Sequence, residues 1–196
     1  MKLPVSYYQS NDVVHLAKDL LGKFLITNIE GNLTGGIITE TEAYAGIHDQ
    51  ASHAYGDRKT NRTKVMYQEG GVSYIYLCYG IHYLFNVVSG ELDVPHAILI
   101  RSIFPVIGLR TMLKRTGKNK PDYKISDGPG KLTKALGITL EQNKYPLNSN
   151  LVWIEDRKIE IVSEYIQVTN RIGVEYAGSD ATLPYRFLLN INKTHP

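Results

Sequence analysis

Thr39-Glu40-Thr41-Glu42-Ala43-Tyr44 sets two carboxylates and a phenol at alternate positions, and in an extended chain alternate side chains share one face. Carboxylates on one face repel, so burying one beside an aromatic ring raises its proton affinity. A carboxylate prepared in that way can take a proton from water, and Glu42 is placed for it by standing near a strand end beside a polar loop. A solvated strand face would carry the same pattern.

The next candidates lie beyond that segment. His48, Asp49 and His53 are residue types that bind metals, but their spacing fits no standard zinc motif. Solvated loop histidines, or an uncharged imidazole acting as a hydrogen-bond donor, account for them as well. Tyr74 and Tyr76 share one strand face, and Tyr79 precedes Gly80 at a turn from which its side chain projects. A projecting ring can wedge between stacked bases, at a cost of roughly a few kcal/mol of unstacking. It can equally be an ordinary tyrosine packed across a hairpin. Arg58, Lys59, Arg62 and Lys64 form a basic cluster, and Lys131 sits at a helix N-terminus whose amides suit a phosphate. These charges either follow a nucleic-acid strand or form a solvated surface.

The elements that must position these groups can be read from periodicity. Ser10-Asn11-Asp12 offers caps to a helix with Val13, Leu16, Ala17, Leu20 and Leu21 on one face and Gly22 as its stop. Phe24 to Ile29 and Gly36 to Tyr44 read as a hairpin turning at Glu30-Gly31-Asn32. From Ala45 to Arg62 apolar periodicity vanishes, which predicts a long loop with one helical turn. Val72 to Tyr79 and His82 to Val88 predict a second hairpin with Tyr79-Gly80 at its tip. His96 to Ile103 reads as a strand and Val106 to Arg115 as a helix with Leu109, Met112 and Leu113 inward. Lys118 to Lys124 is basic and expected to be mobile, and a short helix opens at Pro129 and ends at Gly137. Leu151 to Glu155, Ile159 to Val168 and Tyr185 to Ile191 are strand-like. The expectation is an α+β fold, one domain over residues 1–196, with a mainly antiparallel curved sheet, surrounding helices and a protruding hairpin.

Composition narrows the function classes. A single Cys78 excludes an internal disulfide and a multi-cysteine zinc site. No apolar segment approaches bilayer length and no leader-like start is evident, so a soluble, cytoplasmic protein without membrane contact is expected. The net charge of +3 is compatible with a polyanionic partner. Tyrosine outnumbers phenylalanine 14 to 4, which favours surfaces that stack and hydrogen-bond at once.

Read in order, several segments resemble the alkyladenine (3-methyladenine) DNA glycosylase family in its compact bacterial form. They are Thr39 to Tyr44, Asp49, His53, Arg62, Met66, Gly71, Tyr74-Ile75-Tyr76, Tyr79-Gly80 with Asn86, Leu99-Ile100-Arg101, Ser126 to Leu132, and Arg171 to Val174. The resemblance implies that Glu42 activates a water against the anomeric carbon, with Arg101 beside that carboxylate. It implies that Tyr44, His53 and Tyr76 enclose a flipped base, that Asn86 restricts the pocket against the amino group of normal guanine, and that Tyr79 enters the duplex. Arg58, Thr60, Ile81 and Lys131 match positions on the DNA surface.

The implied partner is double-stranded DNA carrying damaged purines such as 3-methyladenine, 7-methylguanine, hypoxanthine or ethenoadenine. The implied enzyme needs no cofactor or metal, works at the nucleoid and leaves an abasic site without a lyase step; the sequence is silent on oligomeric state, and a monomer is the economical expectation. Leu84, Phe85 and Tyr67 depart from the usual residues, which bears on how the pocket walls are spaced. Two other classes compete: a non-catalytic nucleic-acid-binding module stacking through tyrosines, and a metal-dependent hydrolase built on His48, Asp49 and His53.

Overall fold

The computed structural model describes residues 1–120 and 122–191. In chain order the elements are α1 (Val5–Tyr8), α2 (Val13–Asp19), β1 (Phe24–Ile29), β2 (Asn32–Tyr44), β3 (Ser73–Cys78), β4 (His82–Ser89) and β5 (His96–Ile107). They continue through α3 (Leu109–Thr116), α4 (Pro129–Leu136), β6 (Val152–Glu155), β7 (Ile166–Thr169) and β8 (Arg186–Leu189). The strands form one antiparallel sheet in the order β3-β4-β5-β2-β1-β6, and β8 joins β2 to β7. Helices pack around this sheet, so the α+β expectation holds.

Strand β2 is the spine, and it bends. Its first half pairs with β1 (Phe24↔Ile37 to Ile29↔Asn32), whereas Glu40 to Glu42 pair with β8. Along its other edge it pairs with β5 from Gly35↔Ile107 to Tyr44↔Ala97, with irregularities on either side of Glu40. Bulges of this kind curl a strand locally and re-aim its side chains. Gly36 passes so close to β5 that a Cβ there would lie 2.2 Å from the Phe104 carbonyl oxygen.

The main core lies beneath the sheet. From α2 come Val13, Leu16 and Ala17, capped by an Asp12 carboxylate that accepts the His15 amide at 2.9 Å. These meet Ile38 of β2, Ile75 and Phe85 of the β3–β4 hairpin, Ile98 and Ile100 of β5, and Leu132 and Leu136 of α4. Each such fully buried aliphatic or aromatic side chain stabilises by about 1.5–3 kcal/mol. Among the described residues no helix is long and apolar enough to cross a membrane.

Three elements differ from the sequence expectation. β5 runs on to Ile107, because Val106 and Ile107 are β-branched and Ile107 still pairs with Gly35; the helix begins only after Gly108, at φ 71°. The predicted strand Ile159 to Val168 shrinks to β7, since Ser163–Tyr165 forms a 3₁₀ turn instead. Of the basic stretch 118–124, Tyr123 and Lys124 enter the 3₁₀ turn Tyr123–Ser126, and Pro121 lies outside the described residues.

Candidate active site

Glu42 sits on β2 two residues from the strand end and is fully buried. The reason it meets Arg101 is a bulge. Glu40 pairs with Ser102 and Thr41 with Ile100, so Arg101 is an extra residue on β5 without a cross-strand partner. Its guanidinium reaches Glu40 Oε1 through Nε at 2.7 Å and Glu42 Oε2 through Nη1 at 3.2 Å. Arg186 of β8 donates to the same Glu40 oxygen at 2.7 Å. Glu42 Oε2 also accepts the Tyr44 hydroxyl at 2.9 Å, and Oε1 accepts the Ile172 amide at 2.8 Å.

Two consequences follow. Burial raises the Glu42 carboxyl above the ordinary carboxylate range, opposed by the Arg101 charge, the Ile172 amide and the Tyr44 hydroxyl, with the Glu40 charge adding to the rise. A carboxylate offers about four lone-pair sites; three are taken here, and the free one belongs to Oε1.

In front of this carboxylate a cleft of about 770 Å³ opens between the loop after β2, the β3–β4 hairpin, the start of α4 and residues 172–176. That volume lies within the ~300–1,000 Å³ typical of small-molecule sites. Tyr44, Arg101 and Ile172, three of the groups that touch or cover Glu42, line it; Glu42 itself lies one layer behind the wall rather than on it. Tyr76 and His53 face each other edge-on with ring centroids 4.7 Å apart, and Tyr74 lies 5.4 Å from Tyr76. Asn86 is buried beneath them and donates to the Tyr74 carbonyl at 3.0 Å.

His53 differs from its expected role as a donor to a base. Its Nε2 lies 3.2 Å from Arg62 Nη2, and a guanidinium can only donate, so Nε2 is the acceptor and the ring proton sits on Nδ1, 2.8 Å from the Tyr74 hydroxyl. Burial, assisted by the charges of Arg62 and Arg58, lowers the His53 pKa to about 4, so the ring is neutral at physiological pH. The donor is therefore engaged by Tyr74.

The hairpin tip carries Tyr79, 90% exposed, and Ile81, 71% exposed. Tyr79 (φ 51°) and Gly80 (φ 72°) both occupy the left-handed region that a tight mirror-image hairpin turn requires, and Ile81 closes the turn by donating to the Cys78 carbonyl. Arg58 is exposed, and Lys131 is exposed on α4 where it also lines the cleft. Thr60 is exposed as well, with its amide bonded to the Thr63 hydroxyl at 2.8 Å, which ties it into its own loop. Within the expected basic cluster, Lys59 instead pairs with Asp93 at 2.9 Å and covers the Tyr67 ring, and Arg62 turns into the cleft.

The three possible metal ligands do not converge. Among the described residues no group of three His, Cys, Asp or Glu side chains could hold an ion. Asp49 is committed elsewhere: it forks the buried Arg171 guanidinium and accepts the Ala45 and Ala51 amides. Arg171 in turn bonds the Ala43 carbonyl and stands 4.9 Å behind the Tyr44 ring, so this ion pair holds the base of the cleft wall.

Sequence reasoning missed the Ile172 amide, the inward turn of Arg62, the Asp49–Arg171 pair as a support and the Tyr74 hydroxyl. Each depends on a contact between distant segments, and only the period-two phase shared by Tyr74 and Tyr76 was a local signal for any of them.

A family model described as methylpurine-DNA glycosylase (MPG) matches residues 6–193. The chain is 51% identical over 193 residues to a protein of Chlamydia felis, covering 98% of each chain. It is 50% identical over 190 residues to one of Chlamydia abortus, covering 96% of this chain and 98% of the relative. It is 40% identical over 195 residues to one of Bacillus cereus, covering 95% of both. All three relatives carry the provisional name 3-methyladenine DNA glycosylase. A match of this extent shows that the chain belongs to the methylpurine-DNA glycosylase family and is a DNA N-glycosylase.

Proposed function

We propose that the cleft receives a damaged purine swung out of duplex DNA and that Glu42 activates the water which displaces it from the sugar. The reading rests on one observation above the others: a carboxylate with no solvent exposure, held by three donors and left with one free lone pair, directly behind an aromatic-walled cleft. Oε1 takes a proton from water as its oxygen bonds to the anomeric carbon, and the purine leaves with the electrons of the N-glycosidic bond. The same negative charge stabilises the positive charge that develops on the sugar. Arg101 holds Glu42 in place and tempers its proton affinity.

Alkylation at N3 or N7 makes the purine a planar cation and hence a ready leaving group. Stacking against Tyr44 and Tyr76 favours such a cation over a neutral base. This supports 3-methyladenine and 7-methylguanine as substrates ahead of hypoxanthine and ethenoadenine, whose departure needs a donor that His53 supplies only after releasing Tyr74. Asn86, buried at the cleft floor, restricts normal guanine. Tyr79 and Ile81 fill the gap in the duplex, with Arg58, Thr60 and Lys131 along the strand. The enzyme acts as a monomer, and hydrolysis leaves an abasic site.

Glu42→Gln tests this reading. On a duplex with one methylated purine, the wild type should leave an alkali-labile site; the variant should lose about 10²–10⁴-fold in excision rate while still binding the duplex. Wild-type excision rates in the variant would refute the role of Glu42. Strand cutting without alkali, with borohydride trapping lost in Lys131→Ala, would refute the purely hydrolytic course.

A further inference from the structure

The aromatic seat in the cleft is already filled by a cation of the chain's own. The Arg62 guanidinium carbon lies 4.5 Å from the Tyr76 ring centroid, and Nη2 is 3.2 Å from His53 Nε2. A guanidinium is planar, delocalised and weakly hydrated, which are the properties that let it stack on a ring face. An alkylated purine is planar as well, cationic while bonded to the sugar and neutral once it has left with the bond electrons; in either state it would use the ring face and imidazole that Arg62 covers, and two planar groups cannot occupy one seat.

We propose that Arg62 is a built-in occupant of the base site, which a flipped purine must displace and which competes with the cleaved base for the seat. The inference rests on the function proposed above. How Arg62 is held supports it. Among the described residues no carboxylate pairs with Arg62, whereas the arginines that fix the architecture, Arg101, Arg171 and Arg186, are each bonded to Asp or Glu. Its remaining contacts, the Tyr76 ring face, the neutral His53 imidazole and a hydrogen bond to the Tyr74 hydroxyl, are all to uncharged groups of the cleft wall, where a purine can take its place. The residue is exposed and lies on the loop just before the 3₁₀ turn Lys64–Tyr67, so its side chain can swing outward towards a bound strand without disturbing the core. Its departure also frees His53 Nε2 to meet the base.

The test compares wild type with Arg62→Met, which keeps the length and removes the charge, using free 3-methyladenine base as probe in calorimetric titration. The free base has no phosphate, so any loss of backbone contact in the variant does not enter. Arg62→Met should bind the base about 5- to 70-fold more tightly, the worth of one exposed cation–π contact with its hydrogen bond. The His53 ring, followed by NMR, should titrate at higher pH once the neighbouring charge is gone. Equal or weaker base binding by Arg62→Met, with its thermal unfolding unchanged, would overturn the occupant role alone. Binding of the base by neither protein would overturn it together with the assignment of the cleft.

Discussion

Tyr79 stands where stability and the proposed wedge oppose each other. Its backbone lies at φ 51°, a region where a side chain with a Cβ costs about 1–2 kcal/mol, yet its ring is 90% exposed and contributes little packing in return. Glycine at this position relieves the strain but loses about 0.5–1 kcal/mol in backbone entropy. Tyr79→Gly should therefore stabilise the fold by about 0.5–1 kcal/mol, a rise of about 1–4 °C in Tm for a chain of this size. The same change removes a ring whose stacking on a base is worth about 1–3 kcal/mol, so capture of the flipped state should fall by about 5- to 150-fold.

Tyr79→Ala separates the two effects, because alanine keeps the Cβ and its strain while losing the ring. It should show the capture defect without the rise in Tm. Unfolding would be followed by calorimetry, and single-turnover excision would be measured on one lesion placed in a duplex and in a single strand. The defect should be confined to the duplex, where a gap needs filling. Equal losses on both substrates, or a Tm lower in Tyr79→Gly than in wild type, would refute the reasoning.

The remaining predictions concern the charges behind the cleft. Asp49→Ala leaves the buried Arg171 guanidinium without its carboxylate, so stability should drop by about 3–5 kcal/mol and excision should fall with it as Tyr44 loses its backing; a denaturant midpoint close to wild type would show the pair to be dispensable. Glu42 must be ionised to act, and burial places its pKa above the ordinary carboxylate value, so kcat/KM should rise with pH through a midpoint above that value. An acidic limb centred in the ordinary range would contradict the desolvation seen here. The same shift carries a sign for stability. Between the unfolded and the raised folded pKa the native state binds the extra proton, so wild-type stability is lost as pH rises through that window. The Tm of Glu42→Gln minus that of wild type should therefore increase with pH across it, and a flat or opposite trend would count against the assignment.

Local chemistry made much of the frame legible. Asp12 as a helix cap, the turn at Glu30-Gly31 and the Tyr79-Gly80 tip are each decided within a few residues by backbone preference, and all appear as expected. The period-two phase that puts Glu40, Glu42 and Tyr44 on one face survives in the network they share with Arg101. β5 outran its expected end because its pairing with β2, invisible in its own residues, holds Ile107 extended. Asp49 looked like a metal ligand for a similar reason: its partner Arg171 is 122 residues away. Arg62 read as one charge in a surface run, since sequence spacing carries no information on whether a flexible side chain turns towards solvent or towards a ring.

The arrangement of Glu40 and Glu42 shows how one strand face can hold two carboxylates with different duties. Both are buried, and Arg101 bridges them, so neither is an isolated charge. Glu40 takes two guanidinium bonds, both at 2.7 Å, from Arg101 and Arg186, and thereby anchors the β2–β5–β8 junction. Glu42 receives only the longer arm of Arg101 at 3.2 Å, together with a phenol and an amide, which are neutral donors. On Glu42 the Arg101 charge is the strongest influence against the rise, ahead of the Ile172 amide and the Tyr44 hydroxyl, and burial outweighs them; the two carboxylates differ in accepting one guanidinium bond on Glu42 and two on Glu40. The bulge at Arg101 sets this arrangement, because a regular ladder would give Arg101 a cross-strand partner instead of leaving it as the extra residue that spans both carboxylates.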